Sequence, residues 1–406
     1  MISKKRRLIF LWLYIEWGGA QIYLLAIMKE ARPDWDIVVI LPRDSVPDIL
    51  GYLTDIGVKY EFIDVCLDGA PAPTLGRKVE RQWRRFSAEI ASLRYLRRYN
   101  LRESILHVET LPWQSWQYLA ALSLLGANVF VTLHNALPRF PVWRELIWKA
   151  RMQFLSRLPG FHIFTSNHDT KNKFRGWVED GFWQNMTVTY TCVNPVEIAA
   201  ASENGGARGD LRRRHMIPED SFVVLCVGQF IDRKGRWTFL EAARQVHEAH
   251  PDISFVWVTP KLPSGPDIEK IEKYGLGDSF RLILSASVGS TRHDILQFFR
   301  AADIFALPSF VEGLPIALLE AMALGLPVIS TNINAIPEAI KDRETGILID
   351  SGDSSALAAS ILELKKDAGL RRELSEKGRV YVLEHFDERV ASRAAIDAYE
   401  ECFANA

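Results

Sequence analysis

Apolar runs of four to eight residues alternate with longer amphipathic stretches along the whole chain. This alternation restricts the fold more than any other feature. In the first half the runs are LIFLWLYI (8–15), DIVVILP (36–42), ILHVE (105–109), NVFVTLH (128–134) and FHIFTS (161–166). In the second half they are FVVLCVG (222–228), ISFVWVT (253–259), RLILS (281–285), DIFALPS (303–309) and LPVIS (326–330). Helical patterns such as GGAQIYLLAIMKEA, VERQWRRFSAEIASLRYLRRY and GRWTFLEAARQVHEAH separate them. Strands apolar throughout, with helices between them, predict parallel sheets covered on both faces. Each half supplies enough strands for a doubly wound α/β domain of its own. The expected division is 1–198, a linker at 199–220, a second domain at 221–385 and a terminal helix over about 386–406. In the stretch 199–220, AAASENGGARGDLRRRHMIPED, small and charged residues displace apolar ones. Two such domains facing each other would leave a central cleft at the carboxyl ends of their strands, where ligands of these sheets bind.

Charge divides the same way. Residues 1–195 hold 25 Lys and Arg against 18 Asp and Glu, a net of +7. The remainder holds 24 against 32, a net of −8. The basic first half calls for an anionic surface or ligand. Cys66, Cys192, Cys226 and Cys402 lie far apart without CxxC spacing, which argues against a zinc site and fits a reducing compartment. The opening MISKKRRLIFLWLYIEWGGA mimics a signal peptide, but its apolar run ends at Glu16 and a helical pattern follows. No segment reaches the ~20 apolar residues that span a bilayer. The expected location is the cytoplasm, with the inner face of the membrane as a surface the protein touches.

The stretch FVEGLPIALLEAMALGLPVIS (310–330) carries the chemistry. A helix is predicted from Pro315 to Leu324, because proline suits the first helical position and Gly325 suits the end. Gly313 lets the backbone turn tightly beside a ligand. The helix then begins at the carboxyl end of a parallel strand, where its N–H groups and dipole suit an anion such as phosphate. Glu312 lies on the loop, and Glu320 one to two turns into an otherwise apolar helix. A carboxylate there is costly unless it accepts hydrogen bonds, and sugar hydroxyls are suitable donors. A single solvated helix face explains Glu320 equally well from the residues alone.

EGLPIALLE followed by AMALGLPVI resembles the E-x7-E motif of retaining glycosyltransferases of family 4, which have the GT-B fold. The resemblance implies two Rossmann-like domains, with the terminal helix packing back on the first. It also implies that Glu312 contacts the donor sugar and Glu320 the ribose, with Gly313, Leu314 and Pro315 along sugar and phosphates. VGQFIDRKGRW (227–237) is similar to the family element whose basic pair clamps the diphosphate. Lys234 matches the family lysine, and Arg233 is the expected substitute for the second charge, reaching the site from a different place. The family's usual arginine after the glycine is Gln229 here, a departure inside the donor site. EWGGAQIYLL (16–25) resembles the N-terminal glycine loop, so Gly18 and Gly19 are expected near the donor. His134, in VFVTLHNALPRF, stands where the family has a histidine on the sugar. No carboxylate partner for it stands out in the sequence, so it is not expected to act as a general base. Ser166 and Asn194 are expected only to line the cleft. Asn334 and Ala335 replace two family glycines before x-P-E.

The implied reaction is a metal-independent, retaining transfer from a nucleoside diphosphate sugar, UDP or GDP, to an acceptor hydroxyl. No metal or other cofactor is expected; the one DxD, Asp34-Trp35-Asp36, precedes a strand at its amino end. The expected acceptor is a lipid-linked or cell-surface polysaccharide precursor. Basic and aromatic residues in 78–98 and 140–158 suit an anionic membrane surface, although a solvated basic face over an ordinary core has the same pattern. Two alternatives stay open: a soluble glycosyltransferase acting on a small molecule or storage glucan, and an inactive nucleotide-sugar-binding protein. No nucleic-acid partner is expected, because no basic motif with stacking aromatics follows a known pattern.

Overall fold

The computed structural model describes residues 5–13, 19–65, 67, 74–134, 140–203 and 208–404. The chain forms two compact units. The first comprises Met1–Tyr190 with Arg389–Ala406, and the second Thr191–Glu388.

In the first unit the strands are β1 (Arg6–Trp12), β2 (Trp35–Pro42), β3 (Lys59–Ile63), β4 (Ser104–Glu109), β5 (Asn128–Leu133), β6 (Phe161–Thr165) and β7 (Thr187–Val188). They form one parallel sheet in the order β3-β2-β1-β4-β5-β6-β7. Side chains alternate between faces along a strand. Ile9 and Leu11 therefore join one core with Tyr118, Leu119, Met152 and Leu155 of the covering helices. Leu8, Phe10 and Trp12 join another on the opposite face. That second core contains Tyr23, Leu24 and Met28 of the Gly19–Ala31 helix and Ile396 and Tyr399 of the Glu388–Ala404 helix. Both faces are covered, which is why these strands are apolar throughout rather than alternating.

The second unit repeats the plan with β8 (Phe222–Val227), β9 (Ile253–Thr259), β10 (Phe280–Leu284), β11 (Ile304–Leu307), β12 (Val328–Thr331) and β13 (Ile347–Ile349). Its sheet is also parallel, in the order β10-β9-β8-β11-β12-β13. In each sheet the order reverses beside the first strand, between β1 and β4 and between β8 and β11. Such reversals leave a ligand crevice at the strands' carboxyl ends.

Three expectations need correction. The segment 199–220 is not a linker: the Pro195–Glu203 and Arg208–Arg214 helices belong to the second unit. Buried Arg212 fixes the latter helix by donating to Ala301 O at 2.9 Å, Ser221 O at 2.8 Å and Asp303 Oδ2 at 2.9 Å. The expected strand 8–15 ends at Trp12. The helix expected from Pro315 to Leu324 runs Ile316–Ala323, with Pro315 as its extended N-cap and Leu324 as its C-cap.

Candidate active site

In the second unit the chain leaves β8 through exposed Gln229 into a 3-10 turn, Asp232–Lys234, and reverses at Gly235 with φ +73°. A Cβ at Gly235 would lie 1.8 Å from the Pro308 carbonyl oxygen, so only glycine fits against the end of β11. Phe310 N donates to Arg233 O at 2.8 Å, fastening the turn to the loop after β11. Arg233 and Lys234 are thereby carried to Glu312.

Glu312 is 4% exposed. Its Oε1 lies 2.6 Å from Lys234 Nζ and accepts from Ser309 Oγ at 2.7 Å. Arg233 Nη1 is 3.5 Å from its Oε2. The Glu312 backbone N–H donates to Asn334 Oδ1 at 3.2 Å. Asn334 adopts φ +46°, a left-handed conformation that asparagine tolerates better than most side chains. Of the pair replacing the family glycines, only Asn334 needs a positive φ; Ala335 has φ −89°. Gly313, Leu314 and Pro315 connect Glu312 to the Ile316–Ala323 helix, with Leu314 and Pro315 buried.

Glu320, on that helix, is buried and receives a hydrogen bond from Arg292 Nη2. Arg292 Nε also donates to Glu197 Oε2 at 2.8 Å. Burial pushes the Glu320 carboxyl up from its usual range, Arg292 opposes this, and Glu197 adds to the rise. The partner of Glu320 here is thus an arginine that sequence reasoning missed. The Thr291/Asp294 capping box marks the start of the Arg292–Phe298 helix but not the pairing of Arg292 with Glu320.

In the first unit His134 follows β5. Its Nε2 lies 3.5 Å from Glu109 Oε1, at the end of β4. Glu109, which did not stand out in the sequence, thus approaches His134 without hydrogen-bonding to it. Ser166 Oγ, just after β6, donates to His134 O at 3.0 Å. The Tyr23 ring meets His134 edge-on at 5.2 Å, while its hydroxyl pairs with Thr189. Gly19 begins the Gly19–Ala31 helix, whereas Gly18 lies outside the described residues. Asp36 of the DxD pairs with Arg7 at 2.7 Å, at the amino end of β2. Asn194 caps the Pro195–Glu203 helix, accepting from Val196 N at 2.9 Å and Glu197 N at 3.2 Å.

The family model described as Glycosyl transferases group 1 matches residues 207–381. That match covers 175 of the chain's 406 residues. The chain is 29% identical over 214 residues to a D-inositol 3-phosphate glycosyltransferase of Salinispora arenicola, covering 50% of this chain and 47% of that protein. It is 32% identical over 191 residues to the lipopolysaccharide core biosynthesis glycosyltransferase LpsE of Rhizobium meliloti, covering 46% and 51%. The chain spans about half the length of the curated relatives it matches. HepE of Anabaena, solved in complex with UDP and glucose, superimposes with a TM-score of 0.74 at 17% identity, covering 98% of this chain and 100% of that one. The fold is that of GT-B glycosyltransferase structures, with two parallel-sheet Rossmann-like α/β domains. Within the residues matched by the family model lie Gln229, Arg233, Lys234, Arg292, Glu312, Asn334 and Glu320. Gly18, Gly19, Glu109 and His134 lie outside them.

Proposed function

We propose that this chain is a retaining glycosyltransferase of family 4. It transfers the sugar of a UDP- or GDP-sugar to a hydroxyl of a lipid-linked or cell-surface polysaccharide precursor, at the inner face of a membrane and without a metal. One observation carries this reading: Glu312 is held by Lys234, Arg233 and Ser309 at the reversal between β8 and β11, one helix away from the buried Glu320–Arg292 pair. The constellation offers two cations for a diphosphate, a carboxylate for the sugar and a second for a ribose diol. Support for the donor comes from HepE, whose structure holds UDP and glucose. Support for the acceptor class comes from the name of LpsE.

In this mechanism the donor diphosphate takes Lys234 and Arg233 as counter-ions, drawing them from Glu312. Glu312 then accepts hydrogen bonds from the sugar. The bond between the anomeric carbon and the phosphate oxygen breaks through an oxocarbenium-like ion pair. The acceptor oxygen bonds to the same face of that carbon, and its proton passes to the departing phosphate. Fixed cations beside the developing negative charge do most of the work, and positioning supplies the rest.

A thermal-shift panel of UDP, GDP, ADP and TDP, each in EDTA and in magnesium, tests the donor. At about 100 times its dissociation constant the right nucleotide stabilises by about 2.7 kcal/mol. We expect one nucleotide to do so in EDTA, and the stabilisation to fall to about 0.4–1.4 kcal/mol in Glu320→Gln at the same concentration. No shift with any nucleotide overturns the reading, and a shift only in magnesium overturns its metal independence. The anomeric configuration of the product, read by NMR, decides retention.

A further inference from the structure

The turn that presents Arg233 and Lys234 sets three cations within four residues, because Arg236 follows Gly235. Arg236 is the first residue of the Arg236–His247 helix, where the positive end of the helix dipole opposes a cation. It is also buried, and an apolar side chain would fill that space without desolvating a charge. Its hydrogen bonds show what the guanidinium does there. Nε donates to Asp232 Oδ1 at 2.9 Å, and Nη1 donates to Phe230 O at 3.1 Å. One planar fork thus holds the turn at two points just before Arg233. Nη1 also lies 3.0 Å from Asp267 Oδ2, on the Gly265–Glu272 helix after β9.

Asp267 is itself fixed. It accepts from Ser264 Oγ at 2.8 Å, and its carboxyl is held below the usual carboxylate range by Arg236 first and Ser264 second. Trp237 closes the same corner, its Nε1 donating to Asp232 Oδ1 at 2.8 Å. Arg236 and Lys270, the latter on the Asp267 helix, lie 4.4 and 3.8 Å from the Trp237 ring centre. The turn is therefore fastened twice: to the loop after β11 through Phe310 N and Arg233 O, and to the helix after β9 through Arg236. Mutual repulsion among the three cations would otherwise spread it. A turn that is already ordered leaves no ordering entropy to be overcome when its ligand binds.

We propose that Arg236, anchored on Asp267, is a positioning residue that holds the Arg233-Lys234 turn in the shape that takes a diphosphate. The inference rests on the reading of Arg233 and Lys234 as the diphosphate clamp. Its test is a calorimetric titration of the full chain in EDTA with UDP against UMP and with GDP against GMP. Each pair differs only in the terminal phosphate. The parent is expected to prefer one diphosphate over its monophosphate on the order of a hundredfold, as for two charged contacts. Arg236→Met/Asp267→Ala should leave the monophosphate affinity near the parent's and reduce that preference on the order of tenfold. This pair removes both charges together, so neither stays buried without its partner, and Asp232 is 75% exposed. Arg236→Lys keeps the charge but not the fork, and should lose the preference as the pair does. Asp267→Ala separates position from bare charge. Taking an anion away from the clamp would strengthen diphosphate binding if charge alone mattered, whereas a loosened turn weakens it. A parent-like preference in Arg236→Lys or Asp267→Ala overturns the proposal. So does a drop in melting midpoint with the preference unchanged, which would make Arg236 structural only. A parent that prefers neither diphosphate overturns the clamp reading and this inference with it.

Discussion

Lys234 Nζ lies 2.6 Å from Glu312 Oε1, and the two side chains are only 13% and 4% exposed. Two loops far apart in sequence thus present one mostly desolvated ion pair. Removing one partner of such a pair costs about 3–5 kcal/mol, because the other charge stays buried. Lys234→Met is therefore expected to lose stability on that scale, and Lys234→Met/Glu312→Gln to regain most of it. Neither should transfer sugar at more than about a hundredth of the parent rate, as for a lost electrostatic donor. Arg233, at 44% exposure and 3.5 Å from Glu312, should matter little to stability and mainly to diphosphate affinity. Urea denaturation with nucleotide titration separates the two roles. Equal destabilisation by Arg233→Ala and Lys234→Met would contradict this division.

Arg292 bridges Glu320 and Glu197, so it opposes the rise that burial imposes on the Glu320 carboxyl and fixes its direction. Arg292→Met should destabilise the second unit by about 3–5 kcal/mol. Adding Glu320→Gln to that variant should restore folding but not nucleotide affinity. A lost hydrogen bond to a charged group costs about 1.5–3 kcal/mol, so affinity should fall by ten- to a hundredfold. If the restored double variant binds nucleotide as the parent does, Glu320 is structural and not a ligand group.

Asn334 tests whether the departure from glycine is functional. Asn334→Gly keeps the backbone at φ +46° but deletes the acceptor for the Glu312 N–H. Its stability cost should be about 0.5–1.5 kcal/mol, with a larger proportional loss in kcat. Asn334→Val adds a left-handed β-branched residue, worth roughly 1–2 kcal/mol more. Melting midpoints should follow the order Asn, Gly, Val. A kcat unchanged in Asn334→Gly would mean that the 310–312 loop holds Glu312 without this bond.

The sheets were legible because strands such as FVVLCV and ISFVWV are buried on both faces and leave unbroken apolar runs. The sequence reading passed over β3, β7 and β13 for physical reasons. KYEFI sits at a sheet edge, mostly half-exposed, and so carries Lys59 and Glu61. Thr187–Val188 and Ile347–Ile349 are too short to register as periodic. Glu312 and Glu320 could be singled out because a carboxylate in an apolar loop and helix is conspicuous. Their partners could not be. Arg292 and Glu109 are ordinary charged residues until the order of strands within each sheet sets Arg292 beside Glu320 in one unit and Glu109 near His134 in the other. The helix at Pro195–Glu203 was hidden by its small-residue composition, which reads as a linker until its packing is known.

The Glu388–Ala404 helix is held to the first sheet by one buried and one half-buried imidazole, which makes that contact sensitive to acid. His107 Nδ1 lies 2.5 Å from the Tyr399 hydroxyl and its Nε2 2.9 Å from Thr132 Oγ1. His162 Nε2 lies 3.4 Å from Cys402 Sγ. Burial lowers His107 to about 3, helped by nearby His134, and burial alone lowers His162 to about 4. An unfolded histidine titrates near 6.5, so below that pH the unfolded chain binds protons that the folded chain refuses. The stabilisation is full above pH ~6.5 and is lost as pH falls toward each folded value, at up to about 1.4 kcal/mol per pH unit for each histidine. Melting midpoints should therefore drop between pH 6.5 and 4, and proteolysis within 389–404 should rise in the same window. In His107→Gln/His162→Gln that slope should flatten by about two protons' worth. A parent-like slope in the double variant would assign the acid sensitivity to other groups.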